Sequence, residues 1–287
     1  RSVEPLRDGL GAGPRVWEVE VRVSGQEGVD ALVEGGYNIS RVRKKMVTVH
    51  GTDDDVARLR AAGFAVTLIP ATSIDKEYLG YITYTDMGEQ LAVLAAAYPG
   101  ICRLESLGQS IQGRELWAMM ISDNPDEEED EPEFKYVSTM HGNEPVGTEL
   151  CVYFIERLLE DYGTDERITS LVDNTVIWVV PLMNPDGYVV NSRYNARGYD
   201  YDLNRLFPSY PADFTGTIWN TPLATAGREP EIAAVMEWSA ENSFVLSANF
   251  HTGSLVVNYP FDDDGKPNRV DAPTPDDLLF EDISLRY

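Results

Sequence analysis

The sequence predicts an α/β protein with a mixed, largely parallel sheet flanked by helices, preceded by a small α+β unit of ferredoxin-like order. Three observations carry this expectation. Beyond about residue 80, apolar runs of strand length alternate with segments whose apolar residues recur at helical spacing, as in successive βαβ units. The first seventy or so residues instead order as βαββαβ, the split-βαβ arrangement. Two of the three histidines, His141 and His251, directly follow strand-like runs, and open α/β sheets place their ligands at such strand ends.

The elements follow in order. Residues 16–23 alternate apolar and charged side chains like a half-buried strand, 27–34 read as a short helix, and 37–42 and 45–50 as two strands. A helix over 53–62 opens with aspartates suited to capping, stops at Gly63 and leads into a strand over 64–69. Residues 70–73 read as a linker, which divides the chain into a unit over 1–72 and a second over 73–287. In the second unit a helix over 84–98 ends before Pro99, and 101–107, 116–122 and 134–140 read as strands. The acidic stretch 126–133 is most simply a solvated loop. A helix over 148–162, a wholly apolar strand over 175–182, a helix over 229–239, a strand over 244–250 and a helix over 275–285 complete the pattern, with no internal repeat.

Composition narrows the function. The 23 Lys+Arg stand against 48 Asp+Glu, a net charge of -25, which argues against a nucleic-acid partner because phosphate binding needs clustered positive charge. No apolar stretch reaches the ~18 residues of a membrane span. Cys102 and Cys151 fall on an expected strand and helix, where a disulfide and two buried thiols both fit. Asp262, Asp263 and Asp264 before Gly265 suit either calcium or an ordinary Asp-rich turn, and no role is assigned to them.

The chemistry concentrates at His141-Gly142-Asn143-Glu144 and at His251. Two donors three positions apart, with a third on a distant strand, form a His₂Glu set that holds one zinc ion and leaves a fourth position open. His50, the third histidine, is expected to be structural. His-x-x-Glu alone is weak, since strand-end histidines with ordinary hydrogen bonds are common. Other residues agree with the stronger reading. Asn184-Pro185-Asp186-Gly187 follows an apolar strand as a turn, and Asp202-Leu203-Asn204-Arg205 comes soon after.

On these residues the chain from about Tyr81 to Tyr287 resembles the zinc metallocarboxypeptidases, whose pattern has the same four parts in the same order. Carboxypeptidase A is an established case of the His₂Glu set. The segment from Gly108 to Glu115 looks like the family's run ahead of the metal strand. The stretch from Gly253 to Pro260 is similar to the carboxypeptidase N/E-like branch, and the N-terminal unit looks like the pro-domains of secreted, bacterial-type members. The resemblance implies a zinc-dependent exopeptidase acting on peptide or protein C-termini, in a secreted or extracytoplasmic setting.

Site roles follow from the same resemblance. It makes His141, Glu144 and His251 the zinc ligands, with Asn204 and Arg205 gripping the terminal carboxylate, a role suited to a planar guanidinium fork. An upstream arginine would stabilise the developing oxyanion. Arg193 is the choice, with Arg197 as the alternative, because the interval to Asn204 is about two residues longer than usual in the bacterial-type members. The family's general-base glutamate lies farther beyond the third ligand than residues 252–287 reach, and Glu281 is not assigned to it; the parent protein is therefore expected to be longer. Two other readings remain: a related zinc deacylase acting on acylated amino acids, and a homologue that binds C-termini without cleaving them.

Overall fold

The computed structural model describes residues 16–43, 45–69, 80–208, 224–253, 256–260 and 273–287; the expected linker at 70–73 and Asp262 to Asp264 lie outside them. In the N-terminal unit, β1 (Val16–Arg22), α1 (Gln26–Glu34), β2 (Asn38–Arg43), β3 (Met46–Thr52), α2 (Asp53–Ala61) and β4 (Ala65–Ile69) form a sheet of order β2-β3-β1-β4, antiparallel at every ladder. Strand alternation assigns its faces. Val19, Val21, Val47 and Val49 point to one side and pack with Leu32 of α1 and Leu59 of α2. Thr52 caps α2: its hydroxyl accepts the Asp55 N–H, and the Asp55 carboxylate accepts the Thr52 N–H.

Glu18, Asn38 and His50 are register partners on the opposite face. His50 is nonetheless only 5% exposed, because that face rests on the second unit. Its ring meets Tyr194 edge-on at 6.4 Å, its carbonyl accepts the Tyr199 hydroxyl at 3.0 Å, and Asn38 Nδ2 donates to the Tyr194 hydroxyl at 3.4 Å. Burial, aided by the Arg193 guanidinium, pushes the His50 imidazole down from 6.5 to about 3. The unfolded chain therefore binds a proton that the folded chain refuses once the pH falls below 6.5. Stability linked to His50 is intact above that pH and is lost progressively down to about 3. Urea titrations at pH 7 and at pH 5 check this: His50→Gln should lose less stability between the two than the wild-type chain, and equal losses would refute it.

The second unit comprises α3 (Tyr84–Ala97), β5 (Cys102–Gln109), β6 (Glu115–Ile121), β7 (Glu133–Ser138), α4 (Val146–Asp161), α5 (Glu166–Val172), β8 (Val176–Val180), α6 (Pro185–Val189), α7 (Pro230–Glu241), β9 (Phe244–Phe250) and α8 (Asp277–Arg286). Its sheet has the order β5-β6-β8-β7-β9 and is mixed: β7 runs parallel to both β8 and β9, while the β5–β6 and β6–β8 ladders are antiparallel. Helices cover both faces, which explains why β8 is apolar throughout. Ile177 and Val179 pack with Leu91 of α3 and Ile155 of α4, whereas Val176, Trp178 and Val180 pack with Ile232 and Val235 of α7.

The structure adds α5, a seven-residue helix, and resolves the Asn184 turn into α6, with Asn184 as N-cap and Pro185 in the first turn. Cys102 and Cys151 are buried free thiols. No described helix is long and apolar enough to cross a membrane.

Candidate metal centre

The site forms where β7 and β9 end side by side, with Ser138 in register with Phe250. Each strand then releases its histidine at the same sheet edge. Between Ser138 and His141 the chain turns sharply at Thr139, whose φ of 52° is unusual for a β-branched residue. The Thr139 hydroxyl stabilises that turn by donating to the Glu144 carbonyl at 3.2 Å. Gly142 is dictated by close packing, since a Cβ there would lie 2.1 Å from the carbonyl carbon of Gly187 and 2.3 Å from the Tyr188 nitrogen. The Asn184-Pro185-Asp186-Gly187 segment is thus seated directly on the His-x-x-Glu turn. Asn184 Nδ2 donates to the Met140 carbonyl at 3.1 Å, and its Oδ1 accepts the Gly187 N–H at 2.9 Å. Asp186, fully buried, accepts from Ser110 Oγ, the Gln112 N–H and Arg114 Nη1 at 2.8, 3.0 and 2.7 Å. The segment from Gly108 to Glu115 therefore braces the site from behind.

His141, Glu144 and His251 come together. His141 Nδ1 lies 3.0 Å from Glu144 Oε1 and 3.1 Å from His251 Nδ1, and His251 Nδ1 lies 3.2 Å from Glu144 Oε2. A tetrahedral ion with bonds of ~2.0–2.1 Å would separate its donors by ~3.3 Å, close to this triangle. The tautomer agrees. Asp202 Oδ1 accepts the Nε2–H of His141 at 3.0 Å, which leaves the Nδ1 lone pair facing the other two donors. Burial raises the Glu144 carboxyl, but the adjoining His141 and His251 rings and the Thr252 N–H outweigh it and hold the group well below the ordinary carboxylate range. The donor set fits one zinc ion, with His141 buried and His251 at the exposed side.

The candidate arginines separate clearly. Arg193, 6% exposed, reaches the triad: Nη1 lies 3.2 Å from His141 Nδ1 and 3.5 Å from Glu144 Oε1, and Nε donates to Asp202 Oδ2 at 2.9 Å. Arg197 turns away and pairs with Glu229 at 3.1 Å. Asn204 and Arg205 stand exposed on a single 3₁₀ turn, Leu203–Arg205, and the Arg205 guanidinium folds back on the Asn204 carbonyl at 3.1 Å. Asp202 Oδ1 also accepts the Asn204 N–H at 2.9 Å, so one buried carboxylate ties the turn, Arg193 and His141 together. Burial alone would raise Asp202, but His141 and Arg193 hold it well below the ordinary range. The role of Asp202 is not evident in the sequence beyond its place in the Asp-Leu-Asn-Arg run. His50, whose Nδ1 is buried without a hydrogen-bond partner, lies in the electrostatic field of Arg193, Asp202, His141 and Glu144.

The zinc carboxypeptidase family pattern matches residues 87–287. Human carboxypeptidase D is 46% identical over 214 residues, covering 71% of this chain and 15% of that protein. The human carboxypeptidase N catalytic chain is 38% identical over 233 residues, covering 71% of this chain and 50% of that one. The chain thus spans at most about half the length of these curated relatives. Among solved structures, carboxypeptidase A from Helicoverpa armigera shares the fold at a TM-score of 0.70 and 20% identity, covering 94% of this chain and 76% of its own.

Proposed function

The chain belongs to the zinc carboxypeptidase family, and from that premise we propose that it hydrolyses the C-terminal peptide bond of peptides or proteins, using one zinc ion held by His141, Glu144 and His251. The observation that carries the proposal is the convergence of three zinc-compatible donors with a buried arginine, beside an exposed Asn-Arg pair. When bound, zinc supplies Lewis-acid polarisation of the scissile carbonyl and a water made acidic toward a pKa of ~7.

The chain's own residues supply binding, orientation and charge. Arg205 presents its fork of donors to the terminal carboxylate and Asn204 adds a neutral one, which orients the last peptide bond toward the triad. Arg193 holds a fixed positive charge in a buried setting, where it stabilises the oxygen that becomes negative. Asp202 keeps His141 in the tautomer with Nδ1 free and holds Arg193 by its Nε. Proton transfer to the leaving amine is assigned to no residue of this chain.

The proposal extends to a secreted enzyme whose N-terminal unit is a pro-domain. Support comes from the contacts of His50, Asn38 and Asp55 with Tyr194 and Tyr199, on the loop that carries Arg193. Incubating the zinc-loaded protein with a blocked dipeptide tests the activity. Hydrolysis should be abolished by a chelator and restored by zinc, whereas binding without turnover would favour a C-terminus-binding role instead.

A further inference from the structure

The N-terminus of α7 carries two acids that the metal centre does not use. Glu229 is 6% exposed and Glu231 is fully buried. Glu229 occupies the N-cap position yet makes no side-chain bond to its own helix. Its Oε2 instead accepts Asn195 Nδ2 at 2.6 Å and pairs with Arg197 Nε at 3.1 Å. Glu231 Oε2 lies 3.4 Å from the same Asn195 Nδ2, and its Oε1 accepts the Ile111 N–H at 3.4 Å. Burying two carboxylates is costly unless they are hydrogen-bonded, and the group they share is Asn195.

Asn195 is 1% exposed and two residues beyond Arg193. Its Oδ1 accepts the Arg197 N–H at 3.0 Å, its N–H donates to the Tyr201 carbonyl at 3.2 Å, and its carbonyl accepts the Gly198 N–H at 3.1 Å. It is therefore the hub of the loop from Arg193 to Asp202. On the other side of Arg193, Asn184 Nδ2 donates to the Arg193 carbonyl at 3.4 Å. The backbone of Arg193 is thus gripped from both sides, by the α6 cap and by a loop anchored to α7.

We propose that Asn195, held by Glu229 and Glu231, is a positioning residue that fixes the Arg193 guanidinium against the metal centre. This rests on the proposed peptidase function and adds to it a support for the oxyanion-stabilising arginine. The physical reason is geometric: a charge that acts on a developing oxyanion must already be in place, and a displacement of about 1 Å costs up to ~100-fold. Asp202 holds the guanidinium by its Nε, and Asn195 fixes the backbone from which it extends.

The experiment is a double-mutant cycle on the full zinc-loaded chain, using Arg193→Ala, Asn195→Ala and the pair, with affinities measured by calorimetry. One probe is a phosphonate dipeptide analogue that mimics the tetrahedral state, the other a free amino acid that mimics the released product. Asn195→Ala should weaken the phosphonate by about 10-fold or more and leave the amino acid within about 2-fold. In the Arg193→Ala background the same change should have no further effect. Glu229→Gln keeps an acceptor for Asn195 and should stay near wild type, whereas Glu229→Ala should follow Asn195→Ala; if the latter fails to fold, Glu229→Ala completes the cycle in its place. Equal losses in both backgrounds, or equal weakening of both probes, would overturn the positioning role while leaving the peptidase reading intact. A folded, zinc-loaded wild-type chain that binds neither probe would overturn the peptidase reading and this inference with it.

Discussion

Zinc affinity should fall by more than about 100-fold in Glu144→Gln, measured as metal retained after dialysis against a buffered zinc series. Loss of a partner one step removed from a metal already costs ~10–100-fold, and Glu144 is the only anionic donor of the triad. Its two oxygens face both histidines, at 3.0 and 3.2 Å, and Oε2 also accepts the Thr252 N–H at 2.9 Å. The amide side chain keeps the size of the group and removes its charge, so the fold is retained while the site loses its compensation for a dication. His251→Ala should act in the same direction, because His251 contributes the third corner from the end of β9. Asp123→Asn provides the control. Asp123 belongs to a separate carboxylate group with Glu129 and Glu131, whose oxygens lie within 4.8 Å of one another; zinc held there instead would leave the Glu144 variant fully loaded and deplete the Asp123 variant.

The parts of the site that were legible in the sequence are those set by local pattern. His141 and His251 follow apolar runs, so their emergence at strand ends was readable without coordinates. Their adjacency was expected from the His₂Glu donor pattern and not from periodicity, which carries no information on which strands become neighbours: β9 pairs with β7 rather than with β8, the strand before it in the chain. Asn184 to Gly187 read as a turn because of its glycine, although asparagine followed by proline is also a helix-start signal, and the structure uses it as one. The helix α5 escaped because seven residues give too few repeats of an apolar stripe to be distinguished from a loop.

Burial explains the remaining gaps. Glu229 and Glu231 lie at a helix N-terminus, where acids ordinarily suit the helix dipole; nothing local shows that they are buried against Asn195. His50 alternates with Val47 and Val49 as an outward-facing strand residue should, and only the packing of that sheet face on Tyr194 and Tyr199 gives it neighbours at the metal centre. Asp202 stood in a recognisable run, yet of its three simultaneous partners, His141, Arg193 and the Asn204 N–H, the farthest lies 61 positions away in the chain. Sequence spacing thus located the donors of the site, whereas the side chains that orient those donors required the tertiary structure.

Arg193→Ala should lower kcat on a blocked dipeptide by about 100- to 1,000-fold with little change in KM, the loss typical of a single oxyanion-stabilising donor. The argument rests on where the charge is held. The Arg193 guanidinium is buried, fixed through Nε by Asp202 and aimed through Nη1 at the His141–Glu144 edge of the triad. A charge in such a setting acts on a developing oxyanion far more strongly than one in water. The substrate's carboxylate is assigned to Asn204 and Arg205, so binding of the ground state should survive the change. Arg197→Ala should cost less than about 10-fold, because its guanidinium is half exposed and paired with Glu229 on the far side of Asn195. Steady-state kinetics of the two variants decide the assignment: a larger fall in kcat for Arg197→Ala than for Arg193→Ala would transfer the role to Arg197 and would mean that the loop rearranges when substrate binds.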